Sequence, residues 1–394
     1  YFGVDIFFVI SGYVISQRIY KDYILNNKIL IKDFFIRRLK RIFPVLIFVI
    51  LTTLIIYIIF GPVDFLKKNF DTSFFSILGV SNIYFLLKKK DYFDTVFDDP
   101  LGHTWSLGVE EQFYIIYPLL LYLFFTNIKF EKEKKVSFIL LIVFITLIII
   151  TFYFSKINPL LVFYFPIFRF WEFLAGCVLF FISVKFNVNR NNLISSFCFI
   201  ILLVILFFDL PQNYISYVLI NLLVVIFSSL LIFFYNENIF NKIIFENKIA
   251  IFIGNISYSL YLWHLPVIYF TELYYGNYIK NLISLPISIL LSIFTYHFIE
   301  KKFRYYNFKI NTRLFYKVTI FLVFSTLFFI FYIVSQKSYN SYTKLFIKNS
   351  AKKINNLKQK LNYSERTNFY QIKINDYEIY RFCTENSKEY KLNR

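Results

Sequence analysis

The sequence contains few charged residues and no methionine. Charged residues make up 17% of its 394 residues, whereas hydrophobic residues make up 58%. A soluble protein with this composition would lack the polar side chains that cover an apolar core. The composition therefore excludes an ordinary soluble fold and predicts that lipid is the solvent for much of the chain.

Motifs that mark several well-known kinds of active site are also absent from the sequence. There is no glycine-rich phosphate loop, no set of His and Cys at metal-binding spacing and no Gly-x-Ser-x-Gly nucleophile turn. Cys177 and Cys198 lie in apolar runs and Cys383 stands alone in the tail, so we predict three unpaired thiols. We expect no metal in the site.

The chain is strongly basic, with a net charge of +19 at pH 7. Its lysines and arginines lie between the hydrophobic runs and in the C-terminal tail. In these places basic residues set the orientation of a membrane protein and bind anionic lipid. We therefore predict membrane lipid as a partner and no nucleic acid.

Ten apolar runs approach the roughly 20 residues that a helix needs to cross a bilayer. Because they are apolar on every side, they predict helices rather than strands of alternating polarity. The predicted fold class is all-α, a multi-pass transmembrane bundle of about ten spanning helices. The runs are 2–19, 42–61, 107–126, 136–154, 166–184, 193–210, 215–234, 249–270, 278–299 and 316–335.

An eleventh apolar run, 72–87, is short and is interrupted by Gly79, Ser81 and Asn82. If it does not cross and residue 2 starts outside, the inner loops hold 20 Lys and Arg and the outer segments hold 6. This bias obeys the positive-inside rule, and it would largely vanish if the run crossed. We predict a re-entrant or interfacial segment at 72–87 and an extracytoplasmic tail.

Ionisable side chains within apolar runs form the shortlist for function, because they are costly in a membrane. Arg169 and Glu172 stand three apart on one helix face. The predicted orientation brings polar groups from four helices to the same outer depth, which suggests one site. The candidates are Asp5, Glu110, Glu111, Arg169, Glu172 and His264, with His103 on the preceding outer segment.

Structural roles remain open for the same residues. Arg169 and Glu172 would neutralise each other inside the bundle. Asp5 and Glu110 would cap helix N-termini, where negative charge is favoured. His264, next to a tryptophan, fits an interfacial anchor.

A basic cluster, FFIRRLKRIFP at 34–44, lies at the predicted inner face. Arg37 and Arg41 are expected to share a helix face that Arg38 flanks. The cluster fits a topology anchor that reaches anionic headgroups. It also fits a phosphate clamp, because guanidinium groups bind phosphate oxygens in pairs.

Six segments, in this order, resemble the acyltransferase-3 family of multi-pass membrane proteins. They are GVDIFFVISGYVI at 3–15, FFIRRLKRIFP at 34–44, HTWSLGVEEQFYIIYP at 103–118, RFWEFLAG at 169–176, ISYSLYLWHLP at 256–266 and FIEKKFR at 298–304. The resemblance implies a protein of the bacterial inner (plasma) membrane that moves acyl groups, often acetyl, onto cell-surface glycans.

The resemblance also implies parts beyond the given residues. A histidine in a helix before GVDIFF is expected to be the catalytic base, and we interpret residue 1 as an internal position. The run 316–335 and the tail resemble the subgroup with a fused, esterase-like SGNH domain. We expect a core at 1–315, an additional transmembrane helix at 316–335, and an extracytoplasmic linker or truncated soluble domain at 336–394.

The resemblance implies a site with two sides. Acetyl-CoA or another acyl-CoA would dock on Arg37, Arg38 and Arg41. A glycan acceptor of O-antigen, peptidoglycan or exopolysaccharide type would enter from the outer side. Residues expected around the chemistry are Asp5, His103, Trp105, Ser106, Glu110, Glu111, Arg169, Glu172, Tyr258 and His264, with Glu110 or Glu111 orienting the base and Tyr258 or Ser106 donating to the oxyanion.

A transporter or flippase for a lipid-linked sugar is the alternative from another functional class. It would use the same intramembrane charges without chemistry, and broken helices near the bilayer midplane would mark it. The charges in this sequence instead group near the two predicted faces. This pattern favours the acyltransferase hypothesis.

Overall fold

A computed structural model gives the architecture of the chain. Two compact units, Tyr1–Leu327 and Phe328–Arg394, divide it, and each is described by itself. The structure describes residues 2–62, 65–88, 99–127, 132–185, 192–207, 214–235, 239–305, 370–374 and 377–381.

The described part of the first unit is helical, which confirms the predicted all-α transmembrane class. An apolar chain in lipid must satisfy its backbone groups internally, and helices do so within each segment. A 3₁₀ turn at Pro166–Phe168 and a π-helical turn at Tyr296–Glu300 interrupt the series. The helices are α1 (Gly3–Asn26), α2 (Ile31–Phe60), α3 (Leu66–Ile77), α4 (Ser81–Leu87), α5 (Thr104–Asn127), α6 (Lys132–Ser155), α7 (Pro159–Tyr164), α8 (Phe170–Lys185), α9 (Asn192–Phe207), α10 (Tyr214–Phe233), α11 (Ile239–Phe245), α12 (Lys248–Thr295) and α13 (Lys301–Tyr305).

Among the described residues, four helical stretches are long and apolar enough to cross a membrane. Gly276, with φ +71°, divides α12 into two of them. This break lies between the predicted spans 249–270 and 278–299. The count of about ten spans stays a prediction, and the predicted span 316–335 lies outside the described residues. The four stretches are Ile31–Phe60, Lys135–Ser155, Lys248–Gly276 and Leu282–Arg304.

The run 72–87 is divided between two short helices, α3 and α4, which meet at a turn where Gly79 has φ +69°. The longer helix, α3, has 12 residues and extends about 18 Å, well short of the roughly 30 Å hydrocarbon core. Ser81 and Asn82 are fully buried, and Asn82 donates to the Tyr164 carbonyl at 3.1 Å. Protein therefore covers polar groups of this segment, as a re-entrant segment requires.

Helices α1 and α8 pack backbone against backbone. A Cβ atom on Gly12 would lie 2.0 Å from the Phe173 carbonyl oxygen, and one on Gly176 would lie 2.0 Å from the Val9 carbonyl oxygen. The Phe8 and Phe173 rings stack beside this contact with centroids 4.3 Å apart. Small residues at the crossing allow this approach, as is common between membrane helices.

The described part of the second unit is an antiparallel hairpin. Strand β1 (Tyr370–Ile374) pairs with β2 (Tyr377–Arg381), and Ile372 lies opposite Ile379. The rest of the predicted linker or truncated soluble domain at 336–394 lies outside the described residues. The division into 1–315, 316–335 and 336–394 stays a prediction.

We predict that Gly12→Ala and Gly176→Ala each lower the free energy of unfolding by about 1–3 kcal/mol, because the new methyl group overpacks a backbone contact. Gly254→Ala is the matched control, since nothing lies within 4 Å of its added Cβ. Thermal unfolding of the detergent-solubilised variants measures the difference. If all three variants unfold at the wild-type temperature, the α1–α8 contact is looser than described.

Candidate active site

A buried ion cluster joins α1 to the start of α8. Arg169 Nη1 lies 3.2 Å from Asp5 Oδ1 and 2.7 Å from Glu172 Oε1. The Arg169 Nε donates to the Phe163 carbonyl at 3.2 Å, and the rings of Trp105 and Phe163 face the guanidinium at 5.4 and 5.2 Å. All three charged side chains are almost completely buried. The structure thus brings together the predicted site residues Asp5, Trp105, Arg169 and Glu172.

The contacts of this ion cluster support the structural alternative for its charged members. Asp5 lies in the first turn of α1, where the helix-cap alternative stays open, and its carboxylate pairs with Arg169. Arg169 pairs with both carboxylates and fixes α1 against the start of α8, while Glu172 Oε2 has no hydrogen-bond partner among the described residues.

A second cluster connects the basic start of α2 with the interior of α5. Ser11 Oγ donates to Glu110 Oε1 at 3.1 Å, and the Tyr114 hydroxyl donates to Ser11 Oγ at 3.5 Å. The Arg38 guanidinium lies over the Tyr114 ring at 4.5 Å. The charges of Arg38 and Arg41 both act on Glu110. Glu110 therefore belongs with the arginines.

The sequence grouped Glu110 with the candidates at the outer depth, whereas these contacts group it with the arginines of α2. Helix α5 begins at Thr104, so Glu110 lies almost two turns inside it and does not cap its N-terminus. The long side chain of Arg38 extends from α2 to the same place. The inner and outer candidate sets are therefore connected through Glu110.

The three arginines have different environments. Arg37 forms an ion pair with Asp22 on α1, whereas Arg38 and Arg41 make no hydrogen bond or ion pair to any residue within the described ranges. The charges of Arg38 and Arg41 act on Glu110, whereas Arg37 pairs with Asp22. That Arg37 and Arg41 share a helix face stays a prediction.

Two further candidates lie near this cluster. Glu111 packs against Gly79, where a Cβ atom would lie 2.1 Å from Glu111 Oε2. The Tyr258 hydroxyl donates to the Ile42 carbonyl at 2.9 Å. This bond holds α12 against α2, and the role of Tyr258 as a donor to an oxyanion stays a prediction.

A third cluster contains both candidate histidines. The rings of His103 and His264 lie 5.0 Å apart, and Tyr261 links them. Its hydroxyl donates to the His103 carbonyl at 2.6 Å and pairs with Ser106 Oγ at 2.5 Å. The Tyr261 carbonyl lies 2.5 Å from His264 Nδ1. The structure thus brings His103, Ser106 and His264 together.

The two histidines differ in how their ring nitrogens are used. His264 Nδ1 has a backbone partner, so this ring is fixed in orientation. His103 is 1% exposed, its ring interacts with the Leu262 backbone, and within the described residues neither of its ring nitrogens has a hydrogen bond of normal geometry. A buried imidazole in this state retains its capacity to accept or donate a proton.

Comparisons with known proteins agree with the ordered motifs and the helical architecture. A family model described as an acyltransferase domain, acyltransferase-3, matches residues 1–299. The chain belongs to the acyltransferase-3 family. It is 31% identical, over 78% of its length, to the O-acetyltransferase OatA of Staphylococcus aureus strain NCTC 8325, of which it covers 53%.

A putative O-acetyltransferase of S. aureus strain COL is 32% identical over 77% of the chain and 52% of that relative. The chain therefore spans about half the length of these curated relatives. No solved structure matches it. The part of the acyltransferase-3 chain that the structure describes contains no group of three or more His, Cys, Asp or Glu placed to hold a metal.

The acyltransferase-3 core also contains site residues that the sequence did not single out. Most of them lie inside the six motif segments, and this position is the signal in the sequence that could have identified them. The hydroxyl groups of serine and tyrosine are common in apolar helices. Glu300 lies at the π-helical turn and accepts from Ser259 at 2.8 Å. The residues are Ser11, Asp22, Tyr114, Tyr261 and Glu300.

We predict that Arg169→Met lowers the free energy of unfolding by about 3–5 kcal/mol, because it leaves Asp5 and Glu172 buried without their cation. Arg18→Met is the control, since Arg18 is half exposed in its pair with Asp22 and surface pairs contribute about 0–1 kcal/mol. Thermal unfolding in detergent compares the two. Equal stability of both variants would contradict a structural role for Arg169.

Proposed function

We propose that this protein transfers an acetyl group from acetyl-CoA, on the cytoplasmic side of the bacterial inner membrane, to a hydroxyl group of a cell-surface glycan. The observation that carries the proposal is the pair of guanidinium groups, Arg38 and Arg41, which form no ion pair with a described residue and act on the buried carboxyl group of Glu110. The family and its relatives named O-acetyltransferases support the reaction type.

The donor site is proposed at Arg38 and Arg41. Each guanidinium group has five N–H donors, and neither group forms an ion pair with a described residue. The two like charges lie close enough to act on each other. A polyphosphate ligand would relieve this repulsion and accept paired hydrogen bonds. Acyl-CoA carries phosphates at one end and the reactive thioester at the other.

The acceptor hydroxyl must lose a proton when it attacks the acyl carbon. The resemblance assigns this task to a histidine in a preceding helix, and that assignment stays a prediction. Within the described residues, the groups of the candidate site that can transfer a proton include Glu110, Glu111, His103 and His264. We propose that the histidine cluster lines the acceptor path, with Ser106 and Trp105 beside it.

The topology proposed for this activity follows the loop charges. The excess of Lys and Arg in the predicted inner loops supports a cytoplasmic α1–α2 connection, where acyl-CoA is available. The glycan of O-antigen, peptidoglycan or exopolysaccharide type would then be modified at the opposite face, and the tail 336–394 would be extracytoplasmic.

A direct test uses membranes that contain the protein, radiolabelled acetyl-CoA and isolated envelope glycan. We expect labelled, alkali-labile O-acetyl groups on the glycan, and none with membranes that lack the protein. A flippase would leave the glycan unlabelled while moving a lipid-linked sugar. Unlabelled glycan from all three proposed classes would contradict the proposal.

We predict that Arg41→Gln raises KM for acetyl-CoA about tenfold or more, because a lost charge-assisted hydrogen bond is equivalent to about 1.5–3 kcal/mol. KM for acetyl-pantetheine, which has the same thioester without the nucleotide phosphates, should hardly change. Lys32→Gln removes one exposed positive charge from the same helix and serves as the control. An equal rise in KM for both donors would place the phosphates elsewhere.

A further inference from the structure

Ser11, like Ser259 with Glu300, donates its hydroxyl proton to a buried carboxyl group instead of a backbone carbonyl group. A serine inside a helix commonly bonds the carbonyl group one turn earlier, and Ser16, on the same helix, donates to the Gly12 carbonyl at 2.8 Å. Ser76 likewise donates to the Thr72 carbonyl at 2.7 Å. Ser11 instead donates to the carboxyl group of Glu110 at 3.1 Å.

The Ser11–Glu110 pair has the geometry of a nucleophile and its base. A separation of about 2.6–3.2 Å, with a third group orienting the base, is typical of activated serine nucleophiles. The third group here is Arg38, whose charge acts on Glu110. Ser11 is 6% exposed and Glu110 is 4% exposed. Water is thus largely excluded from the pair, as the chemistry of a reactive ester requires.

The position of Ser11 along α1 also suits a residue that carries an acyl group between two sites. Ser11 follows Asp5 by six residues, which corresponds to about 9 Å along the helix axis. The hydroxyl therefore lies between the end of α1 that contacts Arg169 and the arginines of the proposed donor site. A donor and an acceptor that arrive from opposite faces both need to reach a point between them.

We propose that Ser11 is the nucleophile that carries the acyl group between donor and acceptor, with Glu110 as its general base. The inference rests on the proposed function and adds a covalent intermediate to it. The Tyr114 hydroxyl, which donates to Ser11 Oγ, and Arg38, which lies over the Tyr114 ring, would polarise the new ester.

Each of the two steps balances. In the first, Ser11 Oγ attacks the thioester carbon while Glu110 takes the serine proton; the C–S bond breaks, and the sulfur leaves as a thiol with that proton. In the second, the acceptor oxygen attacks the Ser11 ester and its proton passes to Glu110. The ester C–O bond then breaks, and Ser11 Oγ takes the proton back.

Covalent trapping tests the carrier role. Membranes that contain the wild-type protein are mixed with radiolabelled acetyl-CoA without glycan, quenched in acid and digested for mass spectrometry. We expect one acetyl group on the peptide that contains Ser11, and a burst of free CoA thiol equal to the amount of protein. Adding glycan should discharge the label into O-acetyl groups on the glycan.

Variants separate a carrier from a packing residue. Ser11→Ala and Glu110→Gln should each lower the rate of glycan acetylation about 100-fold or more and abolish the label. Ser16→Ala should leave both unchanged, because the hydrogen bonds of Ser16 to described residues go to the Gly12 carbonyl and the Tyr117 hydroxyl. Ser11→Cys should restore the label as a thioester that neutral hydroxylamine releases, which controls for misfolding of Ser11→Ala.

Wild-type protein that acetylates the glycan without any label on Ser11 overturns the carrier role alone. Ser11→Ala protein with the wild-type rate of acetylation does the same. Wild-type protein that transfers no acetyl group to any glycan overturns the proposed function on which the inference rests.

Discussion

The contact between the backbones of α1 and α8 is the constraint on which the rest of the candidate site depends. At Gly12 and Gly176 each helix lies directly against a carbonyl oxygen of the other, and Cys177 Sγ contacts the Gly12 carbonyl at 3.4 Å. Lipid tails are as apolar as the side chains, so close packing rather than exclusion of water holds such a pair together. Any larger side chain at these positions would separate the helices.

Charged contacts at both ends of α1 fix its rotation once this distance is set. Asp5 contacts Arg169 near one end, and Asp22 contacts Arg37 near the other. Between these two ends of α1, Ser11 faces α5 and donates to Glu110. A site built on three helices thus obtains its geometry from ion pairs that take no part in the proposed chemistry, which is how a rigid scaffold positions reactive groups.

The fold class was predictable from the sequence because the apolar runs are long and lipid permits few backbone arrangements. The break at Gly79 was predictable for a similar reason, since glycine and polar residues interrupt a short run. The partners of the charged residues were less accessible. Sequence spacing assigns Arg37, Arg38 and Arg41 to neighbouring positions on α2, but it does not tell which of them Asp22 on another helix engages.

The assignment of Glu110 shows the same limit. Its depth followed from the predicted helix start, and the structure begins α5 three residues earlier than the predicted span at 107. Ser11 has an ordinary place in an apolar helix, and only the helix that packs against it distinguishes it from Ser16. Contacts between helices decide function in this bundle, and local sequence patterns do not encode them.

A structure of the protein in lipid nanodiscs with a non-transferable acetyl-CoA analogue tests the central claim most directly. The account predicts that the phosphates contact Arg38 and Arg41 and that the analogue's thioester position lies within reach of Ser11 Oγ beside Glu110. Phosphates bound away from both arginines, or a thioester position enclosed by other helices, would contradict the account.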